Sequence, residues 1–179
     1  MAGRSAPVAP DGEDSPDDEP MADPVSVART ICLSQLTHGP RTRSQLADTL
    51  RKRLVPDDAA ATVLDRLAEV GLVDDAAYAA GWVHSRRSGR GLSGSAIARE
   101  LRDRGVEQHV IAEAVADVGP EEDEASAREL ARRRLRSMTA LPIETQVRRV
   151  VGYLGRKGYP PGLAYRVVRE ELDLAHNEV

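Results

Sequence analysis

Residues 89–94 read Gly89-Arg90-Gly91-Leu92-Ser93-Gly94, which matches G-x-G-x-x-G, a pattern that can cradle a pyrophosphate. That chemistry needs a β-strand leading in, a helix leading out, and an acidic residue about 20 positions on at the end of a second strand. The chain shows no convincing strand, and an amphipathic helical pattern precedes the glycines, so they read as a turn between helices. Asp74-Asp75 offers two adjacent carboxylates, but both stand where a helix begins, and Asp there caps free N–H groups and suits the helix dipole. His38, His84, His109 and His176 have no metal-ligand spacing and form no nucleophile–base set. Cys32 is the single cysteine, so it closes no internal disulfide; it reads as a small core residue of a protein in a reducing compartment. Tyr78 and Trp82 lie four apart on one helical face and read as core. No catalytic residue, metal or cofactor is expected.

Arginine is the remaining functional residue type. Of 25 basic residues only Lys52 and Lys157 are lysines. The planar guanidinium fork matches carboxylates and phosphates. Three clusters stand out: Arg86, Arg87 and Arg90; Arg132, Arg133, Arg134 and Arg136; and Arg148, Arg149, Arg156 and Lys157. The plainer reading is a solvated helix face balanced by nearby acids such as Glu129. The 86–90 cluster is the strongest contact candidate, because it lacks acids nearby in sequence and is expected on a flexible turn. Its partners would be carboxylates or nucleic-acid phosphates, and the sequence does not separate the two.

These side chains must be held by helices. Aromatic residues are only 3% of the chain, with no Phe and one Trp, so the core is built of Ala, Val, Leu and Ile and packs slim helices. No apolar run approaches the roughly 20 residues of a membrane span, and the N-terminus lacks the apolar stretch of a secretory signal. A soluble, cytoplasmic protein is expected. The net charge of −4 hides an uneven distribution. Residues 1–24 hold seven acids and one base and are rich in proline; they read as a disordered acidic leader. The rest has 24 basic and 22 acidic residues.

From Val25 onward the pattern is helical. A first helix over 25–37 is broken by Gly39-Pro40. Thr42 and Gln45 have capping-box spacing before a helix with Leu46, Leu50 and Leu54 on one face. A third helix from Pro56-Asp57 carries Val63, Leu64, Leu67 and Val70. Later helices are expected from Asp74-Asp75, through Ile97 and Leu101, through Val110 to Val118, from the acidic run 121–124 to Met138, from Pro142 to Leu154, and from Pro160-Pro161 onward. The apolar register then repeats. Leu46, Leu50, Val55, Leu64 and Leu67 recur 51 positions on as Ile97, Leu101, Val106, Val115 and Val118. Ile97, Leu101, Gly105, Val106 and Val115 recur 53 positions on as Val150, Leu154, Gly158, Tyr159 and Val168. The expected fold is all-α: an elongated, curved array of three tandem three-helix repeats, over 25–72, 73–119 and 120–175.

One stretch is more specific than any turn. Glu69-Val70-Gly71-Leu72-Val73-Asp74-Asp75-Ala76-Ala77-Tyr78-Ala79, followed by Arg86, Gly91, Ile97, Glu100-Leu101 and Gly105-Val106, resembles the middle repeat of the RecX family, regulators of the RecA recombinase. Tyr153-Leu154-Gly155-Arg156-Lys157-Gly158-Tyr159 with Val167 resembles that family's last repeat. The resemblance spans about 25–175; the acidic leader and the detail of the Arg-rich helix fall outside it. It implies a non-enzymatic, monomeric regulator that lies along the groove of RecA filaments on single-stranded DNA and suppresses ATPase, strand exchange and coprotease activity, within DNA repair and the SOS response. A competing reading is a helical array that binds nucleic acid directly. Against it, Glu107-Gln108-His109-Val110-Ile111-Ala112-Glu113 is net acidic where a recognition helix would be polar and basic.

Overall fold

The computed structural model describes residues 23–177. Among the described residues are nine helices and no strand: α1 (Pro24–Thr37), α2 (Arg43–Lys52), α3 (Asp57–Glu69), α4 (Asp75–Arg90), α5 (Gly94–Arg102), α6 (Gln108–Ala114), α7 (Pro120–Arg136), α8 (Ile143–Arg156) and α9 (Pro161–Asn177). The leader expected over 1–24 lies outside the described residues except at its end. There Asp23 accepts hydrogen bonds from the Val25 and Ser26 N–H groups, and Pro24 is the first residue of α1.

Short helices like these are marginal alone and depend on packing of their apolar faces. Extensive helix–helix packing occurs within three units, α1–α3, α4–α6 and α7–α9. Each unit has its own core. Cys32, Leu46, Leu50 and Leu64 sit in the first, Ala79, Ile97, Leu101 and Ile111 in the second, and Ala131, Val150, Leu154 and Val167 in the third. The repeating register places Leu46, Ile97 and Val150 at one core position and Leu50, Leu101 and Leu154 at the next, all buried. Burial pushes the Cys32 thiol up, which suits an unreactive core residue. The Thr42–Gln45 capping box forms, and Asp74 caps α4 by accepting from the Ala77 N–H.

Four local expectations are corrected. Leu54 does not continue the apolar face of α2; the helix ends at Lys52, and Leu54 turns to φ 59 with its side chain 90% exposed. Val70 caps the end of α3 and is half-exposed. α6 stops at Ala114, well before Val118. Arg86, Arg87 and Arg90 lie on the last turns of α4, which runs through Gly89 to Arg90, so they are not on a flexible loop. Of the glycine pattern, Gly89 is helical, Gly91 ends α4 with φ 58, and Gly94 opens α5. No strand leads into it.

The units are joined end to end by one joint used twice. The start of the second helix in one unit docks on the turn between the second and third helices of the next. Thr42 Oγ1 donates to Arg104 O at 2.7 Å; at the equivalent place the Ser93 N–H donates to Lys157 O at 3.0 Å. A carboxylate from the next unit's first helix receives the docking backbone. Asp75 accepts the Arg43 N–H at 2.9 Å, and Asp123 accepts the Gly94 N–H at 3.2 Å. The turn beneath is a left-handed glycine, Gly105 (φ 73) or Gly158 (φ 90). A Cβ on Gly105 would collide with Ser44 Oγ, and one on Gly158 would lie 2.5 Å from Ala96 Cβ. Glycine is thus required here twice over, by the backbone and by the space.

Candidate functional site

The second joint supports a basic groove. Its floor and walls come from the end of α4, α7 and α8: Arg87, Arg90, Glu129, Leu130, Arg133, Tyr153 and Lys157 enclose about 290 Å³. The helices are held in place by polar contacts across the joint. Tyr159, buried beneath, donates its hydroxyl to Gly91 O at 3.1 Å, and Lys157 Nζ donates to Arg90 O. Arg87 donates to Asp123 Oδ1 at 2.8 Å and to the carbonyls of Leu92 and Glu122. Burial holds the Asp123 carboxyl above the usual range, outweighing the pull of the Gly94 N–H and the Arg87 charge.

The groove brings together members of all three predicted clusters. Arg90 keeps its side chain 63% exposed, with Glu100 Oε1 3.9 Å away. Arg133 is exposed, and its side chain makes no ion pair or hydrogen bond among the described residues. The Tyr153 ring lies under two cations, with Lys157 Nζ at 5.0 Å and the Arg134 guanidinium at 5.5 Å from its centre. Arg149 stands one turn before Tyr153 on α8 and is exposed. This arrangement sets cations beside an aromatic face; Arg133 and Arg149 have no ion partner among the described residues and can meet carboxylates or a phosphate chain, while Lys157 is bound to Arg90 O and Arg90 lies near Glu100.

Other predicted residues have internal work. Arg86 donates to Glu100 at 2.8 Å, and its guanidinium lies 3.7 Å from the centre of the Trp82 ring, as does that of Arg104. Trp82 is half-buried; its Nε1 also donates to Glu100, and Tyr78 stacks on it. Burial pushes Glu100 up, but the hydrogen bonds and charges of Arg86, Trp82 and Arg104 win and hold it below the usual range. Arg86 and Arg87 therefore have the acids, Glu100 and Asp123, that are missing nearby in sequence. Arg132 forms a two-pronged pair with Glu171, whose side chain is only 4% exposed. Arg136, Arg148 and Arg156 are exposed and away from any ion partner among the described residues.

Sequence reasoning missed the network that binds α7 to α9. Arg128 bridges Glu124, Glu170 and Glu171, and Arg166 forks onto Glu124. The four-residue spacing of Glu124, Arg128 and Arg132 was a readable signal for one face; the partners on α9 were not. Tyr153 was also missed, although it sits four from both Arg149 and Lys157. No group of acidic, His or Cys side chains among the described residues could hold a metal, and no helix there is long and apolar enough to cross a membrane.

Comparison with known proteins places three family models along the chain: the first three-helix domain of RecX over residues 28–67, the second over 74–115 and the third over 121–168. The regulatory protein RecX of Thermobifida fusca is 51% identical over 173 residues, covering 96% of this chain and 94% of that one. That of Streptomyces coelicolor is 52% identical over 155 residues, 87% of this chain and 82% of its own. The crystal structure of RecX from Lactobacillus salivarius matches with a TM-score of 0.74 at 20% identity, over 86% of this chain and 99% of that one, a likeness of fold. A second crystal structure of a regulatory protein RecX matches at 0.68 and 26% identity, over 83% and 73%.

Proposed function

The chain belongs to the RecX family, and from that premise we propose that it is a negative regulator of the RecA recombinase. It binds RecA filaments on single-stranded DNA along their groove, as a cytoplasmic monomer without enzymatic activity of its own. There it suppresses ATP hydrolysis, strand exchange and coprotease activity, and so tempers recombination and the SOS response. The observation that carries this reading is the joint-supported groove, where Arg90, Arg133 and Lys157 converge beside Tyr153. A filament repeats its surface at every protomer. Three linked units that touch successive protomers gain avidity for filament over free RecA, because each later contact is intramolecular.

The test titrates RecA's single-stranded-DNA-dependent ATP hydrolysis with the wild type and with an Arg90→Ala, Arg133→Ala, Lys157→Ala variant. The variant should need on the order of tenfold more protein for half-inhibition, equivalent to about 1.4 kcal/mol. An unchanged inhibition curve removes the groove from the contact surface. Inhibition far below one chain per protomer favours capping or disassembly; inhibition near one per several protomers favours coating.

One observation favours a second reading, direct binding of single-stranded nucleic acid. An aromatic ring flanked by cations is also a stacking platform for bases. Binding to single-stranded DNA without RecA that weakens steeply with salt would support it.

A further inference from the structure

In each unit the turn between the second and third helices places one residue in the left-handed region: Leu54 at φ 59, Gly105 at φ 73 and Gly158 at φ 90. These positions are equivalent under the 51- and 53-residue repeats. In the second and third units the residue is glycine, and the preceding unit is pressed against it. Among the described residues no unit precedes the first. Its turn is uncovered by the described residues, and it carries a leucine in a backbone that leucine tolerates poorly. That side chain is 90% exposed, so packing within the fold gives nothing back for the strain. Lys52 and Arg53 precede it, both exposed and without an ion pair or hydrogen bond from their side chains among the described residues, while Arg51 is paired with Asp48.

We propose that this turn is a contact knob for the RecA filament, with Leu54 seated in an apolar pocket on a protomer and Lys52 and Arg53 meeting carboxylates at its rim. The inference rests on the regulator reading above and adds a second contact, on the first unit, to the groove between the second and third. Three features select a protein partner of this chemistry. A protruding aliphatic side chain has no use on a phosphate backbone, and the turn carries no aromatic residue for bases to stack on. A second copy of this chain is a poor occupant, because the repeat joint needs glycine where Leu54 stands. The third unit also lacks the docking residue: Gln146 replaces Thr42 and Ser93, and its buried amide is bound to Leu141 O at 2.7 Å. Strain retained at an exposed apolar residue points to a use outside the fold.

The experiment compares wild type, Leu54→Gly and Leu54→Met in the full chain by thermal melting, by co-sedimentation with RecA–single-stranded-DNA filaments, and by inhibition of ATP hydrolysis. Leu54→Gly should melt a few degrees higher, since the strain is relieved, yet bind filaments about tenfold more weakly. Leu54→Met should bind within about threefold of wild type, since it keeps an apolar side chain of similar volume. Leu54→Gly that melts higher and binds like wild type overturns the inference, because the leucine is then merely tolerated. So does Leu54→Met that binds as weakly as Leu54→Gly. Wild type that neither binds nor inhibits removes the regulator reading and this inference with it; wild type that binds while Leu54→Gly is unaffected removes only the inference.

Discussion

Replacing Asp123 by Ala tests the joint that supports the groove. The Asp123 carboxylate accepts from Arg87 Nη1 at 2.8 Å and from the Gly94 N–H at 3.2 Å, and the two side chains are 15% and 20% exposed. Breaking a buried ion pair by removing one partner costs about 3–5 kcal/mol, because the other charge is stranded. Here Arg87 keeps the Leu92 and Glu122 carbonyls and some access to water, which lowers the figure. The Gly94 N–H loses its acceptor, which adds about 1 kcal/mol. The sum is about 2–3 kcal/mol of lost stability for Asp123→Ala. The assay is urea unfolding of the full chain followed by circular dichroism. Each unit has its own core and meets its neighbour mainly at the joint, so weakening the joint should also uncouple the third unit. The transition should move to lower urea and broaden or split. Asp123→Asn, which keeps an acceptor for Gly94, should fall between Ala and wild type. Replacing both Asp123 and Arg87 by Leu should recover most of the loss, leaving the Gly94 term. A change under about 0.5 kcal/mol with the same slope for Asp123→Ala would refute the reasoning that the joint couples the units.

Four further outcomes are expected. Gly158→Ala should cost at least about 2 kcal/mol, since the new Cβ lies 2.5 Å from Ala96 Cβ in a left-handed backbone. Gly155→Ala, one turn earlier in α8 with open space around it, should instead stabilise by about 0.5–1 kcal/mol; urea midpoints of the pair check both. Leu101→Ala should cost about 2–5 kcal/mol in the same assay, because the side chain is wholly buried in the second unit's core. Hydrogen bonds from Arg166 and Arg128 hold the Glu124 carboxyl below its ordinary value. Its contribution is therefore complete above the ordinary glutamate range, near pH 4.3, and is lost as pH falls through the lower folded-state value. Melting followed from pH 6 to pH 3 should fall less steeply for Glu124→Gln than for wild type; coincident curves would mean that the pairs of Glu124 with Arg128 and Arg166 add nothing.

The periodic core was legible because helix packing writes a local pattern. Leu46, Ile97 and Val150 are buried as the 51- and 53-residue repeats require, since apolar residues on one face of each short helix have only their own unit to pack against. The caps at Thr42 and Asp74 were legible for the same reason: each bonds within three residues of itself. Leu54 misled because its four-residue spacing continues a pattern that the backbone has already left; the glycines at 105 and 158 were the cue that this position turns left-handed.

The arginines show the limit from the other side. Their clusters are visible in sequence, but their roles depend on acids brought from afar: Glu100 to Arg86 across 14 residues, Asp123 to Arg87 across 36, Glu171 to Arg132 across 39. Charge alone does not say which guanidinium is spent inside the molecule. The sequence by itself determined an all-helical chain of three similar units, because hydrophobic periodicity and caps act over a few residues. Only the tertiary structure decided that Arg90, Arg133 and Lys157 face one groove, that Arg87 ties the second unit to the third, and that Arg86 and Arg132 brace helices within their own units, because ion pairing is settled by distances of a few ångströms that folding alone creates.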